Sequence, residues 1–470
     1  MVNTSLKRAI CVIRAAVRMK MLTQRSMAQR AESIVSIGDN AEDTHRTSYE
    51  LPSESATPLE QQQQLPLLTS NSWRRTESVK LSIGRTWEAE ARLVGRLLSS
   101  SYLSVLLLFI PLGIAGGFLH WNPQLVFGLN LVSLIPLALV LGDVTEDLAQ
   151  HYGDVIGGLL NATFGNVVEV ILAVSALYKG LTTVVAASLL GSILSNLLLV
   201  LGFSMLIGGM FNKTQSYNTQ STQAHSTLLF LAVLGIAIPT SASQVIPDIT
   251  EEWIMDISHV SAIVMLCCYI CYLFFQLVTH PEGSENGEDA NDDGLDAMSH
   301  HLEDEEVDDG GGPGVPDILS VPTALGCLAV ISVLVALHCE FVTDKIETVS
   351  SQTGISQSFI GMIILPIAGN ACEHVAAVLM AAKNKMDLSL GIAVGSSLQI
   401  SLFAIPFVVL VGWVIQVKFS LEIDLFALLA MMFSVIHANL VIATGRSNWL
   451  TGVTLIAVYI LIATTYFYRE

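Results

Sequence analysis

The chain contains few charged residues, and basic residues are missing from a long internal stretch. Asp, Glu, Lys and Arg make up only 13% of its 470 residues. No Lys or Arg occurs between Thr214 and Asp344. Because charged residues are about 25% of an ordinary soluble domain, this scarcity argues against a soluble fold. The hydrophobic share of 52% and the mean hydropathy of +0.60 indicate a polytopic membrane protein instead.

Sequence signatures of zinc sites, disulfide scaffolds and membrane proteases are also missing. The seven cysteines follow no such spacing. Cys267, Cys268 and Cys271 fall in one apolar segment, where we expect them to pack. Neither His-Glu-x-x-His nor Gly-x-Ser-Gly occurs, so we expect no enzymatic activity. We also expect no resident cofactor and no nucleic-acid partner. The sequence leaves open whether the protein forms a homo-oligomer.

The charges that are present fall into two regions outside the apolar spans. Of the 22 Lys and Arg residues, 14 precede Leu97, and residues 281–310 hold 13 acidic residues and no basic ones. We expect residues 1–96 to be a largely disordered, basic, cytosolic arm. Its segment Lys7–Arg30 is compatible with a surface helix or a transit peptide as well. We expect residues 281–317 to form a cytosolic acidic loop, either a solvated linker or a regulatory cation-binding segment.

Eleven apolar segments of about 20 residues follow the arm, each long enough to cross a bilayer. We expect an extra first helix within 97–120, a five-helix repeat at 121–280 and a second five-helix repeat at 318–470. The expected spans are 101–120, 124–142, 155–178, 183–208, 227–247, 254–279, 318–338, 356–382, 388–412, 422–443 and 449–468. Basic residues predict that Lys213, Lys383, Lys385 and Arg446 lie on the cytosolic face. Lys179, Lys345 and Lys418 then lie on the opposite face.

Two short polar motifs repeat inside these apolar segments. They are Gly165-Asn-Val-Val-Glu169 and Gly369-Asn-Ala-Cys-Glu373. A carboxylate at the bilayer centre costs about 2.5–3.5 kcal/mol, so each glutamate points to a function. Asn and Glu at i and i+3 lie on one helix face and offer oxygen ligands to a hard cation. We therefore predict Glu169, Glu373, Asn166 and Asn370 as cation ligands.

The position of the two motifs predicts the architecture. They fall in spans three and eight, and helices five spans apart cross the membrane in opposite directions. The halves therefore form an inverted-topology repeat with the motifs near the bilayer midplane. This arrangement suits alternating access and argues against a channel or a non-transporting calcium sensor.

The span after each motif carries further polar residues on one helix face. Ser192 and Asn196, and likewise Ser396 and Gln399, are one turn apart and could complete the coordination shell, or serve only in helix packing. His374 follows Glu373 and could relay protons or support the glutamate by hydrogen bonding. Glu146 and Asp147 after the second span and Glu340 after the seventh lie near opposite membrane faces, where they could attract cations or serve as ordinary rim residues. We expect His338 and His437 in packed or interfacial positions and Cys372 in packing.

These stretches closely resemble the cation/proton exchanger (CAX) family of the calcium/cation antiporter superfamily. The resemblance rests on the segments 161–169, 191–199, 366–374, 395–401 and 445–450 and covers about residues 87–468. It implies Ca2+/H+ antiport across the membrane of an acidic store such as the vacuole. It also implies that Glu169 and Glu373 are the central carboxylates, accompanied by Asn166 and Asn370.

The chemistry of such a site suits exchange. Carboxylate, amide and carbonyl oxygens match the six to eight ligands that Ca2+ takes, and a carboxylate must lose its proton to bind it. Metal and proton then compete for Glu169 and Glu373, and His374 is a further proton-coupling residue. A Na+-driven calcium exchanger, or an exchanger of Mn2+ or other divalent cations, remains an alternative on the same fold.

Overall fold

The chain folds almost entirely into helices in the computed structural model, which describes residues 87–99, 102–279 and 318–469. The expected all-α polytopic membrane fold is confirmed. The arm up to residue 86 and the acidic loop at 281–317 lie outside the described residues. Helix α1 (Trp87–Ser99) covers the last residues expected to belong to the arm. A 3-10 segment (Tyr102–Leu108) leads from there into α2 (Phe109–Phe118).

The helices of the first repeat follow in chain order. They are α3 (Pro123–Phe164), α4 (Val167–Tyr178), α5 (Thr182–Leu194), α6 (Leu201–Phe211), α7 (Thr219–Val245) and α8 (Glu251–Phe274). A π-helical segment (Ser195–Val200) joins α5 to α6, and another (Phe275–Thr279) extends α8. Strand β1 (Gln215–Ser216) lies between α6 and α7.

The second repeat has the same pattern of long, broken and π-interrupted helices. Its helices are α9 (Val321–Thr353), α10 (Gln357–Phe359), α11 (Leu365–Gly369), α12 (Ala371–Ala382), α13 (Met386–Gln399), α14 (Ile405–Val414), α15 (Leu425–Ile442) and α16 (Trp449–Tyr468). π-helical segments join α10 to α11 (Ile360–Ile364) and α13 to α14 (Ile400–Ala404). Strand β2 (Arg446–Ser447) pairs antiparallel with β1.

Eight helices among the described residues are long and apolar enough to cross a membrane. The number is nine if segments 357–369 and 371–382, which meet at an angle of 58°, form one bent span. Two shorter apolar helices, Val105–Phe118 and Val167–Tyr178, lie where the first and third spans were expected. The expected total of eleven is therefore not confirmed by length and composition.

Two helices extend further than the hydropathy pattern indicated. Helix α3 continues from the second expected span to Phe164, through the connection expected at 143–154. Helix α9 continues past its apolar part to Thr353, so Glu340 lies within the helix rather than after it. The physical reason is that 143–152 and 339–353 contain no Gly or Pro, and a helix can leave the bilayer without a break.

The buried apolar side chains form two separate clusters. The first, called here the α3/α9 cluster, is built mainly from those two helices, with Leu134, Leu141, Val335 and Ile346 among its members. The second, called the central cluster, contains most other helices. Helix α4 belongs to both: Leu172 packs in the α3/α9 cluster and Leu177 in the central cluster. The motif-bearing helix therefore lies at the boundary between two packed bodies.

The basic residues mark two ends of the bundle. At one end, called the Lys213 face, the loop after Lys213 meets the other basic loops: Gln215 bonds Asn384 and Ser216 pairs with Arg446. At the other end, called the Lys179 face, Lys179 bonds Glu340. The loops expected together at the Lys213 face thus contact one another, while the assignment of that face to the cytosol stays a prediction.

Candidate functional site

Each of the two repeated motifs interrupts a helix in the same way. Asn166 separates α3 from α4 with φ −109° and ψ 23°, and Asn370 separates α11 from α12 with φ −94° and ψ 12°. Glu169 and Glu373 then occupy the first turn of the new helix. The two asparagines were expected inside a helix, but both stand at the break. A carboxylate or other anion is stabilised at this end by the helix dipole.

The motifs of the two repeats lie against each other. A Cβ atom built on Gly369 would be 3.2 Å from Oε1 of Glu169. Glu169 is buried, with 8% of its surface exposed. The glycine of the second motif therefore permits the close approach of the carboxylate of the first. A narrow cavity adjoins this contact and is lined by Glu169, Ser192, Pro366 and Gly369, among others.

A chain of hydrogen bonds links the candidate ligands across the repeats. The Asn166 amide donates to Oε1 of Gln399 (2.5 Å), and the Ser396 hydroxyl donates to Oδ1 of Asn166 (3.1 Å). The Asn196 amide donates to Ser396 Oγ (2.9 Å) and to Oε2 of Glu373 (3.4 Å). Five of the predicted ligands are thus brought together, with residues of both repeats alternating along the chain.

Two buried amides at the site keep polar atoms without a hydrogen-bond partner. Neither the oxygen nor the nitrogen of the Asn370 side chain is bonded, although the residue is only 1% exposed. The Asn196 side-chain oxygen is likewise buried and unbonded. An unsatisfied buried polar atom is costly, and its presence commonly marks a position that a water or ion fills. Among the predicted cation ligands, Asn370 is therefore the residue whose side chain is best explained by contact with a bound water or ion.

His374 does not bond the neighbouring glutamate. Its Nε2 lies 3.2 Å from Oγ of Ser195, which is fully buried. Two adjacent residues of the first repeat therefore hold the two side chains: Ser195 contacts the His374 ring, and Asn196 donates to Glu373. Ser195 was not among the predicted site residues, nor was Ser188, which lines the cavity beside Glu169. Their spacing from Ser192 on α5, three and four residues, was the signal that could have found them.

The other candidates lie outside this group. The Cys372 thiol donates to the Ile135 carbonyl at 3.5 Å, so it faces α3. His338 is fully buried, with Nδ1 2.7 Å from Oδ1 of Asn130. Asp147 accepts from the backbone of Leu319, and Glu340 bonds Lys179. Within the described residues, three or more His, Cys, Asp or Glu side chains nowhere converge as a metal-binding group, so a cation here depends on amide and hydroxyl oxygens too.

Comparison with known proteins supports a duplicated exchanger fold. The sodium/calcium exchanger protein family matches residues 123–278 and again 323–468. A Ca2+/H+ antiporter of Aphanothece halophytica is 40% identical over 77% of this chain and 95% of its own. A vacuolar calcium ion transporter of Schizosaccharomyces pombe is 36% identical over 79% and 86% respectively.

Structural comparison agrees. The solved structure of native YfkE superimposes with a TM-score of 0.64 at 33% identity, covering 78% of this chain and all of that one. The family segments coincide with the two repeats, each containing one Gly-Asn-x-x-Glu motif. The chain therefore belongs to the sodium/calcium exchanger protein family, and the resemblance to its cation/proton exchangers is confirmed.

Proposed function

We propose that this protein is a secondary active antiporter that exchanges Ca2+ for protons by alternating access. The observation that carries the proposal is the crossing of the two motifs at the boundary between the repeats: Glu169 lies against Gly369 of the second motif, and Glu373 accepts a hydrogen bond from Asn196 of the first repeat. The unbonded amide of Asn370 lies in the same buried group. The names of the relatives in Aphanothece halophytica and Schizosaccharomyces pombe support Ca2+ as the cargo, and the former supports H+ as the counter-ion.

The residues around the site have different roles in binding Ca2+. Glu169 and Glu373 supply the negative charge, and Asn370, Asn166 and Ser192 supply neutral oxygens, a set that suits the flexible shell of Ca2+. Asn196 donates through its amide nitrogen to Glu373 and Ser396, and its oxygen remains unbonded, so it can orient Glu373 and also offer a neutral oxygen. Gln399 accepts from the Asn166 amide and orients that residue, while Ser396 lies between Asn166 and Asn196.

Protons compete with Ca2+ for the same carboxylate oxygens. A carboxylate must be deprotonated to bind the metal, so a proton on Glu169 or Glu373 displaces it. Protonation also neutralises the empty site, which lowers the cost of moving it through the apolar interior. His374 contributes to proton coupling through its bond to Ser195. Exchange then needs no proton path separate from the cation site.

The setting of the proposal is an acidic organelle membrane. The relative from Schizosaccharomyces pombe is named for the vacuole, and we assign this chain to a vacuolar or similar membrane. The Lys213 face and the acidic loop are placed in the cytosol, so Ca2+ moves from there into the acidic store. We propose transport rather than enzymatic catalysis, with Ca2+ and H+ as cargo and no resident cofactor.

Sodium coupling is the second candidate, because the matching family is named for sodium/calcium exchange. Purified protein in sealed proteoliposomes, with a Ca2+ indicator inside, separates the two. We expect Ca2+ uptake when the interior is acidic and Na+ is absent, and no added uptake from an outward Na+ gradient. Glu373→Gln vesicles of equal protein content are the control. Uptake that requires Na+ and ignores the pH gradient would replace H+ by Na+ in the proposal.

A further inference from the structure

Helix α4 presents one continuous stripe to α9. Val168, Leu172, Ser175 and Lys179 recur at intervals of four, three and four residues, which places them on a single helix face. Val168 and Leu172 pack in the α3/α9 cluster. Ser175 and Lys179 continue the same stripe but contact α9 through polar groups. The apolar part of the stripe lies beside Glu169 and the polar part lies at the Lys179 face.

The polar part of the stripe makes five contacts with α9. Lys179 Nζ lies 2.9 Å from Oε1 of Glu340 and 3.6 Å from Oδ1 of Asp344, and it also donates to the Glu340 carbonyl. The Ser175 hydroxyl donates to Oε2 of Glu340 (3.1 Å) and lies 3.0 Å from Oγ1 of Thr343. These contacts join α9 to the end of α4 whose apolar residues Ala176 and Leu177 belong to the central cluster.

Helix α4 is a short rod between two joints. One joint is the break at Asn166, and the other is Gly180, whose φ of +75° favours glycine. The rod places Lys179 about 15 Å from Glu169 along the axis. Because an α-helix is stiff over this length, a rotation that frees Lys179 from α9 also moves Glu169.

On the other side of the break, Thr163 and Gly165 of the segment leading to Asn166 are exposed at the protein surface. We propose that Lys179 and Ser175, bound to Glu340, Thr343 and Asp344, form a latch that keeps the Lys179 face closed. The latch must break before the site opens to that face, so its strength sets the balance between the two access states. The latch determines which face of the protein opens to the site. It rests on the proposed exchange function only in an experiment that measures transport.

The first test measures access without any transport. Ser188 lines the cavity on the Lys179 side of Ser192, so Ser188→Cys serves as a reporter for a membrane-impermeant maleimide added from the Lys179 face. Labelling of residue 188 is followed by peptide mass spectrometry. We expect Lys179→Met to raise the labelling rate about two- to fivefold, the effect of removing a partly exposed ion pair.

Lys345→Met is the matched control for this test. Lys345 lies 2.7 Å from the carboxylate of Asp344, but both residues belong to α9, so the pair does not bridge to α4. Removing this charge should leave the labelling rate unchanged. Equal rates in the two variants, or no increase in Lys179→Met, would overturn the latch.

The second test locks the latch. In the double variant Ser175→Cys with Thr343→Cys, an oxidant should form a disulfide, because the native hydroxyl oxygens are only 3.0 Å apart. We expect proton-driven Ca2+ uptake to fall at least tenfold on oxidation and to return with a reductant, while oxidation leaves the uptake of each single variant unchanged. Normal uptake with the disulfide formed would contradict the latch. Absence of uptake in the unmodified protein would instead contradict the exchange function, and the labelling test would still decide the latch.

Discussion

Ser396, from the second repeat, donates its hydroxyl hydrogen to the side-chain oxygen of Asn166, from the first, over 3.1 Å. That oxygen is one of the ligands proposed for Ca2+, and because an amide oxygen has two lone pairs it can bind a cation while the Ser396 hydroxyl holds it in place. Asn370, the counterpart of Asn166, makes no side-chain bond at all. The two half-sites are therefore unequal in this structure: one is tied across the repeats and the other is free to accept a ligand.

The central prediction concerns the two glutamates. Glu169→Gln and Glu373→Gln should each reduce exchange to background, because Gln keeps the side-chain volume but loses the charge and the shared proton. Uptake is measured in proteoliposomes with an imposed pH gradient. The fold is checked by size-exclusion chromatography and thermal unfolding in detergent. Near-normal uptake by either variant would refute the competition of Ca2+ and H+ at these residues.

A side chain at position 369 should weaken the binding of Ca2+. An alanine Cβ there would be 3.2 Å from Glu169 Oε1, so the carboxylate must shift. We expect Gly369→Ala to raise the Ca2+ concentration for half-maximal uptake about fivefold or more, the range of a strained contact in a packed site. Gly391→Ala is the control, since no atom lies within 4 Å of its Cβ position. An unchanged Ca2+ dependence in Gly369→Ala would contradict the close approach of the two motifs.

Selectivity against Mg2+ follows from the flexibility of the ligand set. Mg2+ needs near-ideal octahedral geometry and loses its waters reluctantly, which a site made of two glutamates and amides at the helix breaks after Gly165 and Gly369 does not favour. A tenfold excess of Mg2+ should lower Ca2+ uptake by less than about twofold. Mn2+ and Cd2+ are expected to pass less efficiently. Strong Mg2+ competition would show that the coordination shell is different.

Cys372 should play no part in that selectivity. Its thiol faces the Ile135 carbonyl on α3, although it adjoins Glu373 in the sequence. Cys372→Ala should therefore keep Ca2+ transport and its weak response to Mg2+. Loss of Ca2+ uptake in a well-folded Cys372→Ala protein would place the sulfur in the site.

A pH dependence of stability is expected at the Lys179 end of the bundle. The Arg469 guanidinium beside Asp424 holds the pKa of that carboxyl below its usual value of 3.8. A lowered pKa stabilises the fold at pH values above 3.8, and this contribution is lost as the pH falls through the lower, folded-state value. Asp424→Asn keeps an N-cap side chain but removes the charge.

Because both partners are partly exposed, the effect should be small. We expect Asp424→Asn to lower the melting temperature by about 1–2 °C at pH 7, and we expect this difference to shrink as the pH falls below 3.8. Lys418→Met is the control, since its exposed pair with Glu251 should contribute little. A difference in melting temperature between Asp424→Asn and the unmodified protein that persists or grows at low pH would show that the Asp424–Arg469 ion pair is not its cause.

Local features of the sequence determined the class of protein and the position of its site. Long apolar segments identify membrane helices, and a carboxylate beside Asn and Gly stands out among them because burying it is costly. The duplication of Gly165–Glu169 at Gly369–Glu373, five spans apart, also implied the inverted repeat. The roles of the individual site residues stay a prediction.

The tertiary structure decided the partners of those residues, which local sequence cannot specify. Asn166 and Gln399 are 233 residues apart, so only the packing of the repeats shows that they bond each other. The continuation of α3 to Phe164 depends on a helix leaving the bilayer unbroken, which hydropathy does not register. The latch between Lys179 and Glu340 arises in the same way: a charge at the end of α4 and a charge within α9 acquire a role only because the two helices pack side by side.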